Sequence, residues 1–114
     1  MSNPLTSPPV TEELLQEAVK RILSAGNPEK IILFGSHARG EARPESDLDL
    51  LIIEESDLPR YRRSPPYYLV LAGLFPAKDI VVYTPEEVEQ WVSVPNAFIT
   101  STLLEGRDLY ERST

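Results

Sequence analysis

The sequence contains no cysteine, which excludes disulfides and thiolate metal sites from its 114 residues. No apolar run approaches the ~20 residues that a membrane-spanning helix needs. The first residues, Met-Ser-Asn-Pro-Leu-Thr-Ser-Pro-Pro, carry neither a basic cap nor a long apolar stretch, so they do not read as a signal peptide. Together these absences point to a cytoplasmic protein with no membrane as partner. Positive charge is also in deficit: 11 Lys and Arg stand against 18 Asp and Glu, a net charge of −7. A surface of that sign does not grip a nucleic-acid backbone non-specifically, so nucleic acid is not expected as a direct ligand. A metal-bearing small molecule or a basic protein suits it better. There are no internal repeats and no low-complexity segments.

What is present is an ordinary core-forming composition, 41% hydrophobic. The chain is long enough to bury roughly two thirds of its unfolded surface without staples. Residues 1–9, with three prolines and no periodic pattern, read as a frayed lead-in, and residues 10–114 as one domain. From Thr11, the apolar residues Leu14, Leu15, Ala18, Val19, Ile22 and Leu23 recur at helical spacing, and Gly26 and Pro28 end that helix. Its stripe is expected to pack on the protein's own sheet. Lys30 to Phe34 predicts a strand whose apolar residues run without alternation, as when both faces are covered. A short helix follows from Ser36 to about Gly40, then a second strand from Asp47 to Ile53 and a polar turn over 54–59. Ser64-Pro65-Pro66 starts a helix expected to run through Leu74 and to end at Pro76. Asp79 to Tyr83 is a third strand. Thr84, Pro85 and Glu87 supply an N-cap, a Pro at N1 and a capping-box Glu for a helix holding Val88 and Trp91. Pro95 breaks it, Asn96 caps a further helix through Leu104, and Leu109-Tyr110 adds a short edge strand. The class is α/β in the α+β sense: a small mixed sheet of three to four strands flanked by helices.

The chemistry-bearing residues concentrate between Gly35 and Leu50, after the apolar run Ile31-Ile32-Leu33-Phe34 and before Leu50-Leu51-Ile52-Ile53. Asp47 and Asp49 are two apart, a spacing that in a strand puts both side chains on one face. Two carboxylates at the mouth of a hydrophobic strand repel, and the pair is costly unless a cation or a shared proton resolves it. Gly35 lets the backbone approach a phosphate closely. Ser36 adds a hydroxyl, and the N–H groups that open the short helix favour an anion at the same place.

Gly35-Ser36 followed by Asp47-x-Asp49, with Ala38-Arg39-Gly40 and Ser46-Asp47 between, resembles the signature of nucleotidyltransferases related to DNA polymerase β. In particular it resembles the small stand-alone minimal nucleotidyltransferases. The stretches Asp79 to Glu87 and Leu104 to Glu111 are similar to that branch as well, so the resemblance spans roughly residues 10–112. It implies a polymerase β-like fold and the transfer of AMP from ATP to a hydroxyl with release of pyrophosphate. It also implies that Asp47, Asp49 and Asp79 hold two Mg2+ ions, with Asp79 helping to take the nucleophile's proton. Electrostatics agrees: a triphosphate beside several carboxylates puts like charges a few ångström apart, each pair repelling by several kcal/mol at about 4 Å, and divalent ions relieve this. Gly35, Ser36, Arg39 and Ser46 complete the nucleotide-binding set. Ser36 contacts the terminal phosphates in the family, and Arg39 either pairs with phosphate or braces the loop. Members of this branch are commonly found with a small helical HEPN-type protein that can be a toxic ribonuclease. The resemblance therefore implies an antitoxin in a toxin–antitoxin module, acting by AMPylation of a tyrosine on its partner. A homo-oligomer stays open.

Two other readings compete. A transferase of small molecules, like the aminoglycoside nucleotidyltransferases, normally carries a second helical domain, for which this chain is too short. A non-catalytic module that neutralises its partner by contact needs no intact Asp47, Asp49 and Asp79. Elsewhere, His37 is expected to face solvent, Glu54 and Glu55 to form a solvated strand end, and Tyr67 and Tyr68 to be half-buried. Arg60, Arg62 and Arg63 with Tyr61 read as a solvated turn or a protein contact. Trp91 reads as core or interface.

Overall fold

A computed structural model describes residues 10–43, 46–74, 76–95 and 97–113. The lead-in expected over residues 1–9 and the cap expected at Asn96 lie outside the described residues. The elements run α1 (Glu12–Ala25), β1 (Lys30–Phe34), α2 (Ser36–Arg39), β2 (Leu48–Ile53), a 3-10 turn (Arg60–Arg62), α3 (Pro65–Val70), β3 (Lys78–Tyr83), α4 (Pro85–Trp91), α5 (Phe98–Glu105) and β4 (Arg107–Glu111). The strands make one mixed sheet in the order β3-β2-β1-β4. Strand β1 is antiparallel to β2 and β4, and β2 is parallel to β3.

The interior strands β1 and β2 are covered on both sides, which is why their apolar runs need no polar alternation. On one face Ile31, Leu33, Leu50, Ile52, Ile80 and Val82 pack with Leu15, Ala18, Val19 and Ile22 of α1 and Tyr67 of α3. On the other, Ile32, Leu51 and Ile53 pack with Ile99 of α5, and Phe34, Val81, Tyr83 and Val88 close around them. Helix α1 begins at Thr11, whose hydroxyl accepts from the Leu14 N–H at 3.2 Å. The Thr84–Glu87 capping box forms in both directions, at 2.9 and 3.2 Å, and starts α4. Among the described residues no helix is long and apolar enough to cross a membrane.

Several expectations are corrected. Helix α3 stops at Val70 rather than Leu74: Leu71 leaves the helix at ψ 0° and Gly73 takes φ +90°, a turn the helix cannot continue through. Strand β2 begins at Leu48, so Asp47 stands just ahead of it. Strand β4 is five residues rather than two, and α5 is preceded by Ala97 in the cap position, with no side-chain cap bond. Arg63 is not a solvated residue of the turn. Its guanidinium bonds the Glu87 carboxylate at 2.7 and 3.3 Å and the carbonyls of Leu58 and Val82, so it clamps the turn to α4 and to the edge of β3. Glu54 is not idle at its strand end either: it accepts from the Asn27 N–H at 2.6 Å and from the Tyr67 hydroxyl. Tyr67 is fully buried, whereas Tyr68 lies at the surface and its hydroxyl accepts the Ile80 N–H at 2.8 Å. With Val82 held by Arg63, that bond blunts the open edge of the sheet. Trp91 is not core; it is 46% exposed.

Burial and then the Glu54 carboxylate push the Tyr67 phenol well above its ordinary pKa of 10.0. The neutral phenol is therefore favoured by folding, a contribution that is whole below the unfolded pKa and is lost as the pH rises above it. Tyr67→Phe is expected to cost about 1 kcal/mol at neutral pH. In urea titrations that deficit should shrink at a pH about one unit above the ordinary phenol value.

Candidate active site

Gly35 ends β1 with φ +74° and ψ −155°, a conformation that L side chains rarely adopt. A Cβ at Gly35 would also run into the Asp49 carboxylate. Backbone conformation and lack of space thus both demand glycine there, and its absent side chain lets the β1–α2 turn settle against Asp49. The Gly35 carbonyl accepts the N–H groups of Ala38 and Arg39 at 3.1 and 3.2 Å, which winds the single turn of α2. The N–H groups of Ser36 and His37, first in that turn, have no acceptor within it.

The sheet register assembles the rest. Phe34 of β1 pairs with Asp49 of β2, and Asp49 pairs with Asp79 of β3. Residues paired in register point to the same face. Phe34, Asp49 and Asp79 therefore form one row across the face that α4 and α5 cover, at the end of the sheet where β1 stops. Burial, and after it the charges of Asp79 and Asp47, raise the Asp49 pKa against the opposing pull of His37 and Arg39. No hydrogen bond enters that balance, and the ion pairs of the described residues leave all three aspartates out.

The structure thus brings Asp49 and Asp79 together and leaves Asp47 exposed at the mouth. Among the described residues no three His, Asp or Glu side chains converge into a closed metal cage. The donor chemistry still suits Mg2+. This ion takes one or two carboxylates, keeps several waters and completes its shell with phosphate oxygens. Asp49 and Asp79 supply such oxygens, uncommitted to the protein's own donors.

Of the other predicted residues, Ser46 shapes the approach to Asp47. Its hydroxyl accepts the Arg43 N–H at 3.0 Å, and its own N–H donates to the Arg43 carbonyl at 2.9 Å. His37 does not face open solvent; its Nε2 lies 2.9 Å from the Ser46 carbonyl and ties α2 to this loop. Arg39 bonds Glu41 at 3.1 Å and reaches Glu105 of α5 at 3.9 Å. Between them a groove of about 400 Å³ opens along α5, lined by Phe34, Gly35, Arg39, Phe98, Ser101, Thr102 and Glu105. The α5 wall was not anticipated from the sequence. Its signal was there in the spacing i, i+3, i+4, i+7 of positions 98, 101, 102 and 105, one face of a helix.

This Gly-Ser turn set against register-paired aspartates is the arrangement of a nucleotidyl-transfer fold. A family model, described as a nucleotidyltransferase domain, matches residues 13–112, and the chain belongs to that family. A Methanocaldococcus jannaschii protein named "Putative protein adenylyltransferase" is 46% identical over 48 residues, which are 40% of this chain and 48% of that protein. The match therefore spans about half of that relative. Among solved structures, a "putative nucleotidyltransferase" from Sulfolobus solfataricus superposes with a TM-score of 0.62 at 22% identity, covering 89% of this chain and 80% of its own. A toxin–antitoxin crystallised with AMP-PNP gives 0.60 at 18% identity, covering 87% and 74%. A mutant of the toxin–antitoxin MntA–HpeT gives 0.53 at 16%, covering 91% and 76%. These structural likenesses establish the fold: a mixed four-stranded sheet flanked by helices, as nucleotidyltransferases have.

Two measurements follow from the geometry. Gly35→Ala must strain φ and displace Asp49, so urea denaturation should report a loss of about 1–3 kcal/mol. Asp79→Asn removes a charge that raises the Asp49 pKa. Because a raised carboxyl pKa costs the fold stability at neutral pH and the cost fades as the pH falls through it, this variant should melt a few degrees higher than wild type at pH 7 in metal-free buffer. That advantage should vanish on acidification into the carboxylate range.

Proposed function

We propose that residues 10–114 act as one nucleotidyltransferase unit in the cytoplasm. It moves AMP from ATP to a hydroxyl, most specifically to a tyrosine of a HEPN-type helical toxin that it silences. The observation that carries the reading is the row Asp49–Asp79 in register beside a turn that tolerates only glycine. It is supported by membership of the nucleotidyltransferase family, by the adenylyltransferase name of the Methanocaldococcus relative, and by the toxin–antitoxin neighbours. Two Mg2+ ions held by Asp47, Asp49 and Asp79 would neutralise the triphosphate and polarise the attacking hydroxyl.

The chain's own residues account for the remaining requirements. Gly35 and Ser36 receive the β- and γ-phosphates at the exposed N–H groups of α2. Arg39, already at the rim, can exchange its exposed carboxylate partners for a phosphate oxygen. Ser46 and His37 hold the loop that presents Asp47. The acceptor oxygen bonds to the α-phosphorus and the bond from that phosphorus to the α,β-bridging oxygen breaks. Pyrophosphate leaves, and Asp79 takes the hydroxyl proton.

Incubation with α-labelled ATP, MgCl2 and a candidate HEPN-type helical partner tests this. Label should appear on the partner's tyrosine, and Asp47→Asn or Asp49→Asn should lower the rate at least ~100-fold, about 2.7 kcal/mol of lost charge stabilisation or more. Toxin neutralisation that survives Asp47→Asn and Asp49→Asn together would overturn the catalytic reading in favour of contact alone.

A further inference from the structure

Phe98 is common to two openings on the sheet face that carries the Asp49–Asp79 row. It lines the groove that starts at Gly35, and it also lines a separate slot of about 160 Å³ with Tyr83, Trp91, Ala97 and Ile99. Its ring stands edge-on to Phe34 at 5.3 Å between centroids and leans on Tyr83 at 6.0 Å. Phe34 is the register partner of Asp49, so Phe98 sits one side chain away from the carboxylate row. Yet 43% of its surface, and 46% of Trp91, is open to solvent. Two large aromatics facing one opening at the end of that groove form a site for the face of a flat ring.

Helix α5 fixes a direction. At its C-terminal end the groove reaches the Gly35 turn and Arg39, the one cation among its described lining residues, which stands 3.9 Å from Glu105. Phe98, at its N-terminal end, opens on the aromatic slot. A nucleoside triphosphate can lie along that line, its phosphates at Arg39 and the Gly35 turn and the face of its base at the aromatics.

We propose that the nucleobase of the triphosphate lodges in the slot between Phe98 and Trp91. Phe98 is then the residue that distinguishes a nucleotide from a bare polyphosphate. This assignment rests on the nucleotidyl-transfer reading above and adds the place of the base to it. The Tyr83 hydroxyl accepts from Arg60 at 3.2 Å with the guanidinium over its ring, which holds that wall of the slot in place. Recognition through ring faces tolerates different bases, since every base has one.

Trp91 is the sole tryptophan, which supplies a direct readout. Mg–ATP and Mg–tripolyphosphate are titrated into the full chain, with Trp91 emission and calorimetric affinity recorded for each. ATP should quench Trp91 and tripolyphosphate should not. Phe98→Ala should weaken ATP about 5- to 150-fold, the range of base–aromatic stacking, while tripolyphosphate affinity stays within about twofold, which also shows that the variant is folded. Phe98→Tyr should restore ATP affinity, and Trp91→Leu should weaken ATP alone. Equal ATP affinity in wild type and Phe98→Ala, or equal quenching by both ligands, overturns the assignment and leaves the α4–α5 aromatics as a protein-docking face. If neither ligand binds wild type, the nucleotide reading itself falls, and this one with it.

Discussion

Like charge brought together by a backbone ladder is the constraint from which the rest of this molecule follows. Strands β2 and β3 are parallel, and their hydrogen bonds leave no freedom in register: Asp49 must stand beside Asp79. Burial first, and then the charges of Asp79 and Asp47, raise the Asp49 pKa against the pull of His37 and Arg39, and among the described residues no ion pair reaches these carboxylates. A protein selected for stability alone would place an Arg there, as it places Arg63 against Glu87 elsewhere. The site therefore carries a local electrostatic cost of the kind that a bound cation or a proton relieves. Sites that fold at some cost to stability are commonly those that bind or react.

The surroundings make that arrangement tolerable. Both interior strands are buried on two faces, so the strand that carries Asp49 is packed from both sides. The polar contacts that matter structurally lie away from the site. Arg63 clamps the turn after β2 to α4, and Glu54 with Tyr67 secures the far end of β2. Arg107 and Glu12 join β4 to α1 at 2.7 Å on the exposed surface, where such a pair adds little. At the active end the polar side chains serve instead to shape the entrance. His37 and Ser46 hold the approach to Asp47, and Arg39 and Glu105 bridge the groove.

Sheet and helices thus divide the work. The sheet positions charge and the helix α5 shapes the space beside it. A cleft walled by one helix on this face, with aromatics left exposed at its end, is suited to a ligand that is anionic at one end and flat at the other. The acidic surface elsewhere, at a net charge of −7, discourages an extended polyanion.

Local order was legible in the residues because local order has local causes. The stripe of α1, the Thr84–Glu87 capping box and the unbroken apolar runs of β1 and β2 each depend on neighbours a few positions away. The Gly35-Ser36 and Asp47-x-Asp49 pattern belongs with them, since a short motif survives any packing around it. By themselves the residues determined the elements, the two-sided burial of the central strands and the chemical character of the site. Only the tertiary structure decided the strand order β3-β2-β1-β4, the pairing of Asp49 with Asp79, the contact that forbids a side chain at Gly35, and the α5 wall. Arg63 shows the same limit: it looked solvated in its turn and is a clamp. Each of these joins segments far apart in the chain, and no periodicity along one segment encodes which distant segment it will meet.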